Sequence, residues 1–95
     1  VIRLLEKNGW SLQFHRLQTT ISEIDIIMGK DLKIILIEVK KLDDDWRAFQ
    51  RISVQQKNKM KLNEILFSYH FKDFIYESFI AWVDPKNRIS FCKNE

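Results

Sequence analysis

Apolar positions recur at helical spacing at the start of the chain. Val1, Leu4, Leu5 and Asn8 share one face and Gly9 follows as a stop, so residues 1–8 read as the end of a helix. The period then changes to two. Trp10, Leu12 and Phe14 alternate with polar residues, which predicts a strand over 10–15, while 17–21 reads as either strand or loop. Residues 22–28 and 32–40 are rich in Ile, Leu and Val, and Gly29-Lys30-Asp31 separates them as a hairpin turn. Asp43-Asp44-Asp45 breaks the pattern, and 46–52 reads as a short helix or an ordered loop. Ser53 with Gln56 three residues on carries a capping-box signature. It opens a predicted helix over 54–70 with Leu62, Ile65, Leu66 and Tyr69 on its apolar face. Residues 74–83 predict a strand, 84–87 a turn and 88–91 a last short strand. The expected order is helix, three strands, helix, two strands.

Parity on the two central strands fixes which charges share a face. Side chains alternate with period two, so Ile24, Ile26 and Met28 oppose Glu23, Asp25 and Ile27. On the next strand Ile35, Ile37 and Val39 oppose Ile34, Leu36, Glu38 and Lys40. Placing the fully apolar rows together forces Glu23, Asp25, Glu38 and Lys40 onto the other face. A turn centred near residues 30–32 sets Asp25 close to Glu38 and Glu23 close to Lys40. Carboxylates opposed in this way repel, and partial burial adds to the cost. A divalent cation offsets that repulsion better than one lysine does, and an all-oxygen donor set suits Mg²⁺ or Mn²⁺. The competing structural reading is an ion-pair network at a strand end.

Composition narrows the class. The 95 residues suffice for one domain, 1–95, with its own core. The chain opens on Val1 rather than Met, so an N-terminal piece is expected to precede it. One cysteine, Cys92, excludes an internal disulfide framework and a multi-cysteine zinc site. No apolar run approaches the length of a membrane span and no signal peptide is visible, so a cytoplasmic location without membrane contact is expected. The net charge of +3 points only weakly to nucleic acid. Placement says more: Arg47 and Arg51 precede the long helix, and Lys57, Lys59 and Lys61 lie in its first half. Lys57 and Lys61 share a face, and Lys59 points elsewhere. Beside an acidic site, these cations are candidate phosphate contacts. His15 and His70 lack ligand spacing, and Trp10 and Trp82 read as core. Trp46 reads as packing over a sheet edge, with stacking on a base as the other option.

An acid, twelve residues, then Glu-x-Lys, with both halves in β-prone runs, resembles the PD-(D/E)xK nuclease superfamily. The closer resemblance is to the YraN-like (UPF0102-type) family of small Holliday-junction-resolvase-like proteins. It is carried by residues 5–10 (Leu-Glu-Lys-Asn-Gly-Trp), 22–27 (Ser-Glu-Ile-Asp-Ile-Ile) and 36–41 (Leu-Ile-Glu-Val-Lys-Lys), with a basic helix following, and covers roughly residues 1–70. The chain departs from the family in having Ser22 where Gly is usual. The family's first-helix Glu falls upstream of Val1, and Glu6 is not its equivalent. Gln55 or Gln56 echoes the Gln-containing helix motif of some related nucleases.

The resemblance implies a restriction-endonuclease-like α/β fold, a mixed sheet flanked by helices. It also implies Mg²⁺-dependent hydrolysis of DNA phosphodiesters, in branched or otherwise structured DNA. Asp25, Glu38 and the Val39 carbonyl would hold the metal. Lys40 would orient the attacking water or stabilise transition-state charge. Glu23 would support the metal ligands, bind a second metal ion, or pair with Lys40. A resolvase-type activity implies a homodimer, for which the strand over 74–83 is the candidate interface. The alternatives are a nucleic-acid-binding module that keeps the fold without turnover, and a structural or protein-interaction domain.

Overall fold

The computed structural model describes residues 1–42 and 53–94. Helix α1 (Ile2–Lys7) is followed by β1 (Ser11–Gln18), β2 (Glu23–Lys30) and β3 (Lys33–Lys41). Helix α2 (Val54–His70), β4 (Ile75–Val83) and β5 (Ile89–Lys93) complete the order expected from the pattern. The strands form one mixed sheet in the order β1-β2-β3-β4-β5. Neighbours are antiparallel except β3 and β4, which run parallel. A parallel pair needs a crossover, and α2 lies on it.

Each helix covers one face of the sheet. On the α1 face Leu5 packs with Ile26, Met28, Ile35, Ile37 and Ala81. On the α2 face Ile24, Ile27 and Leu36 pack with Phe67 and Tyr76, while Met60 packs with Ile80 and Trp82. Strand β3 is therefore apolar on both faces, the signature of a central strand. Burying Ile27, Leu36 or Ile37 is worth about 2–3 kcal/mol each.

Local chemistry explains the element ends. Gly9 takes φ +88 just beyond α1, where a Cβ would be strained. The β2–β3 turn falls at Asp31-Leu32, with Lys30 opposite Lys33 and Asp31 at φ +54. This is slightly later than Gly29-Lys30-Asp31, because β2 keeps pairing through Gly29 and Lys30. The ambiguous 17–21 segment splits, with Leu17 and Gln18 ending β1.

Two packing expectations are corrected. Ile24 does not share a face with Ile26 and Met28; it packs with Ile27 on the α2 side. The alternation breaks at Asp25, opposite Arg16, which holds a left-handed φ of +58. The second correction concerns α2. Leu62, Ile65 and Tyr69 are exposed, and the helix turns Met60, Asn63 and Phe67 inward instead. Hydrogen bonds decide this rotation. Asn63 donates to Ser22 Oγ at 2.9 Å and accepts from Thr19 Oγ1 at 2.7 Å. Glu64 accepts from the buried Ser78 hydroxyl at 2.7 Å. Strand β4 lies between β3 and β5 in the sheet, pairing with β3 along its whole length and with β5 only over Phe79–Val83.

Candidate active site

The break in β2 and the end of β3 bring two carboxylates together. Asp25 Oδ2 accepts the Val39 backbone N–H at 2.8 Å, which anchors the acid across the two strands. The β2–β3 register, carried one step past Ile26 and Ile37, sets Asp25 opposite Glu38. Burial, then the neighbouring Asp25 charge, push the Glu38 carboxyl above its ordinary range. Lys40 opposes this from 3.6 Å, and the Glu38 side chain is only 19% exposed. Glu38 Oε1 also accepts from Gln56 Nε2 at 2.9 Å.

Gln56 enters the sequence reading in two ways, as half of a capping box and, with Gln55, as an echo of the Gln-containing helix motif of related nucleases. Its spacing from Ser53 predicts a reciprocal capping box. Half of that box forms: the Gln56 backbone N–H donates to Ser53 Oγ at 3.0 Å. The Gln56 side chain turns to Glu38 instead of returning to the cap. Its position in the first turn of α2 was the visible signal; its partner was not.

Glu23 does not meet Lys40. It pairs with Arg16, Nε to Oε1 at 3.2 Å, because the left-handed Arg16 carries its guanidinium toward the start of β2. Among the described residues, no three His, Cys, Asp or Glu side chains gather closely enough to hold a metal. The donor set at this point is therefore Asp25, Glu38 and nearby backbone. That set fits Mg²⁺, which keeps several waters and takes one or two carboxylates with substrate phosphates supplying the rest.

Two openings flank the pair. On the α1 face Asp25 lines a cavity of about 520 Å³ together with Arg3, His15, Arg16 and Val39. On the α2 face Glu38 lines a cavity of about 320 Å³ with Ser22, Gln55, Gln56 and Lys59. Of the predicted phosphate contacts, Lys59 is thus beside Glu38, Lys57 is exposed, and Lys61 pairs with Glu64 at 3.3 Å. Arg47, Arg51, Trp46 and the Asp43-Asp44-Asp45 run lie outside the described residues. Arg3 and Arg16 carried no sequence signal, since the fold alone brings α1 and the β1 irregularity beside Asp25. Trp82 is buried as expected, and Cys92 is exposed. No described helix is long and apolar enough to cross a membrane.

Comparison with known proteins adds a family. The model of the uncharacterised protein family UPF0102 matches residues 1–90. A UPF0102 protein of Campylobacter jejuni subsp. jejuni is 32% identical over 94 residues, covering 97% of this chain and 82% of the relative. A UPF0102 protein of Campylobacter jejuni subsp. doylei is 30% identical over the same span and the same shares. One from Roseobacter denitrificans is 35% identical over 60 residues, 63% of this chain and 46% of that protein.

Proposed function

We propose that this chain, which belongs to the uncharacterised protein family UPF0102, is a metal-dependent endonuclease of the PD-(D/E)xK type that hydrolyses DNA phosphodiester bonds. The observation that carries the reading is the opposed Asp25–Glu38 pair, with Lys40 beside it. Glu38 sits where burial and a neighbouring acid both disfavour its charge. Titratable groups with perturbed charge beside a cavity are candidates for sites of chemistry.

The residues divide the work. Asp25 and Glu38, with the Val39 carbonyl, would hold Mg²⁺ or Mn²⁺. A bound ion of this kind lowers the pKa of water and offsets charge on phosphoryl oxygens. The Val39 N–H holds Asp25 in place, and the Gln56 amide holds Glu38. Lys40 puts an ammonium beside the pair, where charge develops on the phosphate. Arg3, His15 and Arg16 line the Asp25 side and serve as phosphate contacts there. Lys59 serves the Glu38 side, with Lys57 and Lys61 further along α2; Arg47 and Arg51, which precede α2 in the sequence, are further candidate contacts. Glu23 acts through Arg16, holding the guanidinium near the cavity. Two cuts in a branched substrate call for two sites, hence a homodimer.

A binding module without turnover is the second reading, favoured by the meeting of only two carboxylates among the described residues. Cleavage of branched and plasmid DNA with and without Mg²⁺ separates the two. Cleavage that needs the ion and is lost in Asp25→Ala and Lys40→Ala supports the enzyme. Salt-sensitive binding with no cleavage supports the module. Neither binding nor cleavage overturns both.

A further inference from the structure

The two cavities beside the carboxylate pair differ in chemistry. The α1-side opening carries two guanidinium groups, Arg3 and Arg16, beside Asp25, with the His15 imidazole also in its wall. The α2-side cavity has two carboxylates in its wall, Glu23 and Glu38, against one ammonium, Lys59. Its other polar groups are neutral, from Ser22, Ser53, Gln55, Gln56 and Asn63, over an apolar floor of Ile24, Leu36 and Met60. Glu23 is paired with Arg16 and Glu38 with Lys40, so the wall offers mainly hydrogen-bonding groups rather than free charge.

Several of these groups have hydrogen-bonding capacity left over. Gln56 donates through Nε2 to Glu38, which leaves its Oε1 as an acceptor. The hydroxyls of Ser53 and Ser22 accept from Gln56 N and Asn63 Nδ2, which leaves each O–H as a donor. Among the described residues, neither the Gln55 amide nor the Lys59 ammonium has a partner. The volume, about 320 Å³, is at the small end for ligand pockets.

We infer that the α2-side cavity is a receptor for one unpaired nucleobase of the DNA substrate. The inference rests on the nuclease reading and adds a substrate class to it. A base is neutral and flat, and carries both amino donors and ring acceptors. The apolar floor covers its face, and the amides and hydroxyls meet its edge. The carboxylate pair then lies between a phosphate-accepting side and a base-accepting side. Enzymes that do chemistry on a base take it out of the stack into a pocket, and the cost is least where the base is already unpaired. Unpaired positions occur in branched, bulged and single-stranded DNA, and fully paired duplex lacks them.

The test uses the full chain and two DNA probes, with Ca²⁺ replacing Mg²⁺ to hold back cleavage. One probe is a duplex with a single bulged pyrrolocytosine; the other has the same base paired. The expected result is binding about tenfold tighter to the bulged probe, with a rise in pyrrolocytosine fluorescence as the base leaves its neighbours. Gln55→Trp, at an exposed position on the rim, blocks the cavity. It abolishes both the preference and the fluorescence change while paired-duplex affinity stays the same. Equal affinity for the two probes, or a preference that survives Gln55→Trp in folded protein, overturns the inference. If Mg²⁺-dependent cleavage is nonetheless seen, the nuclease reading stands without it. If the chain binds neither probe and cleaves nothing, both readings fall together.

Discussion

The Gln56 side chain, from the first turn of α2, donates to Glu38 on β3 at 2.9 Å. That contact joins a helix to a strand-borne carboxylate across eighteen positions of chain. It holds Glu38 in the orientation that faces Asp25. Gln56→Ala removes the donor and leaves a half-buried carboxylate short of a partner. A loss of roughly 1–2 kcal/mol is expected from denaturant unfolding at neutral pH. The loss shrinks at low pH, where Glu38 is protonated and needs the donor less.

Glu38 also sets a pH signature. Burial, then Asp25, raise its carboxyl above the ordinary value. Between the unfolded and the folded value, the folded chain keeps a proton that the unfolded chain has released. The stability from this group is complete below the ordinary value and is lost as pH rises through the raised one. Glu77 runs the other way. Its hydrogen bond to Lys33 at 2.9 Å lowers its carboxyl, so its contribution is present above the ordinary value and lost as pH falls through the lowered one. Glu38→Gln cannot ionise. Its thermal midpoint, measured against that of the wild type across the acid range, should gain on the wild type as pH rises. A constant difference between the two curves contradicts this assignment.

Asn63 is the buried polar tie between α2 and the β1–β2 connection. Asn63→Leu leaves the Thr19 and Ser22 hydroxyls without that partner. The expected cost is about 1–3 kcal/mol, read as a lower denaturant midpoint with unchanged slope. Ser22→Gly removes only one of the two bonds and should cost less, near 1 kcal/mol.

The outward face of α2 gives the opposite expectation. Ile65 is 63% exposed and Leu62 49%. Ile65→Lys and Leu62→Lys should change stability by no more than about 0.5 kcal/mol. Ile27→Ala, from a fully buried site on β2, should cost about 2–5 kcal/mol. Urea unfolding of the three variants separates an exposed face from a core one.

These contrasts show what the sequence carried. Alternation over β2 and β3 was strong enough to locate both strands and to set Asp25 opposite Glu38, since any other register would drive charge into the core. It did not show the break at Asp25, because a left-handed Arg16 leaves no compositional mark. That break moves Ile24 to the other face, turns Glu23 toward Arg16 rather than Lys40, and opens Asp25 to the α1 side while Glu38 lines the α2 side, so the four ionisable groups do not share one face as the parity predicts. On α2, a count of apolar residues favoured Leu62, Ile65 and Tyr69. The helix follows hydrogen bonds instead, from Asn63 to Thr19 and Ser22 and from Ser78 to Glu64. Those partners lie far apart in the chain, so no local pattern reports them. The Gln56 contact was hidden for the same reason.

The central claim is that Asp25 and Glu38 form one receptor for a hard cation. Thermal unfolding of the wild type and of Asp25→Asn, each titrated with Mg²⁺ and with Mn²⁺, tests it most directly. At tenfold excess over its Kd, an ion bound only by the folded chain adds about 1.4 kcal/mol. For a domain of this size that raises Tm by roughly 6–11 °C. The account predicts a saturable rise in the wild type and none in Asp25→Asn. No rise in the wild type, or an equal rise in both, would contradict it.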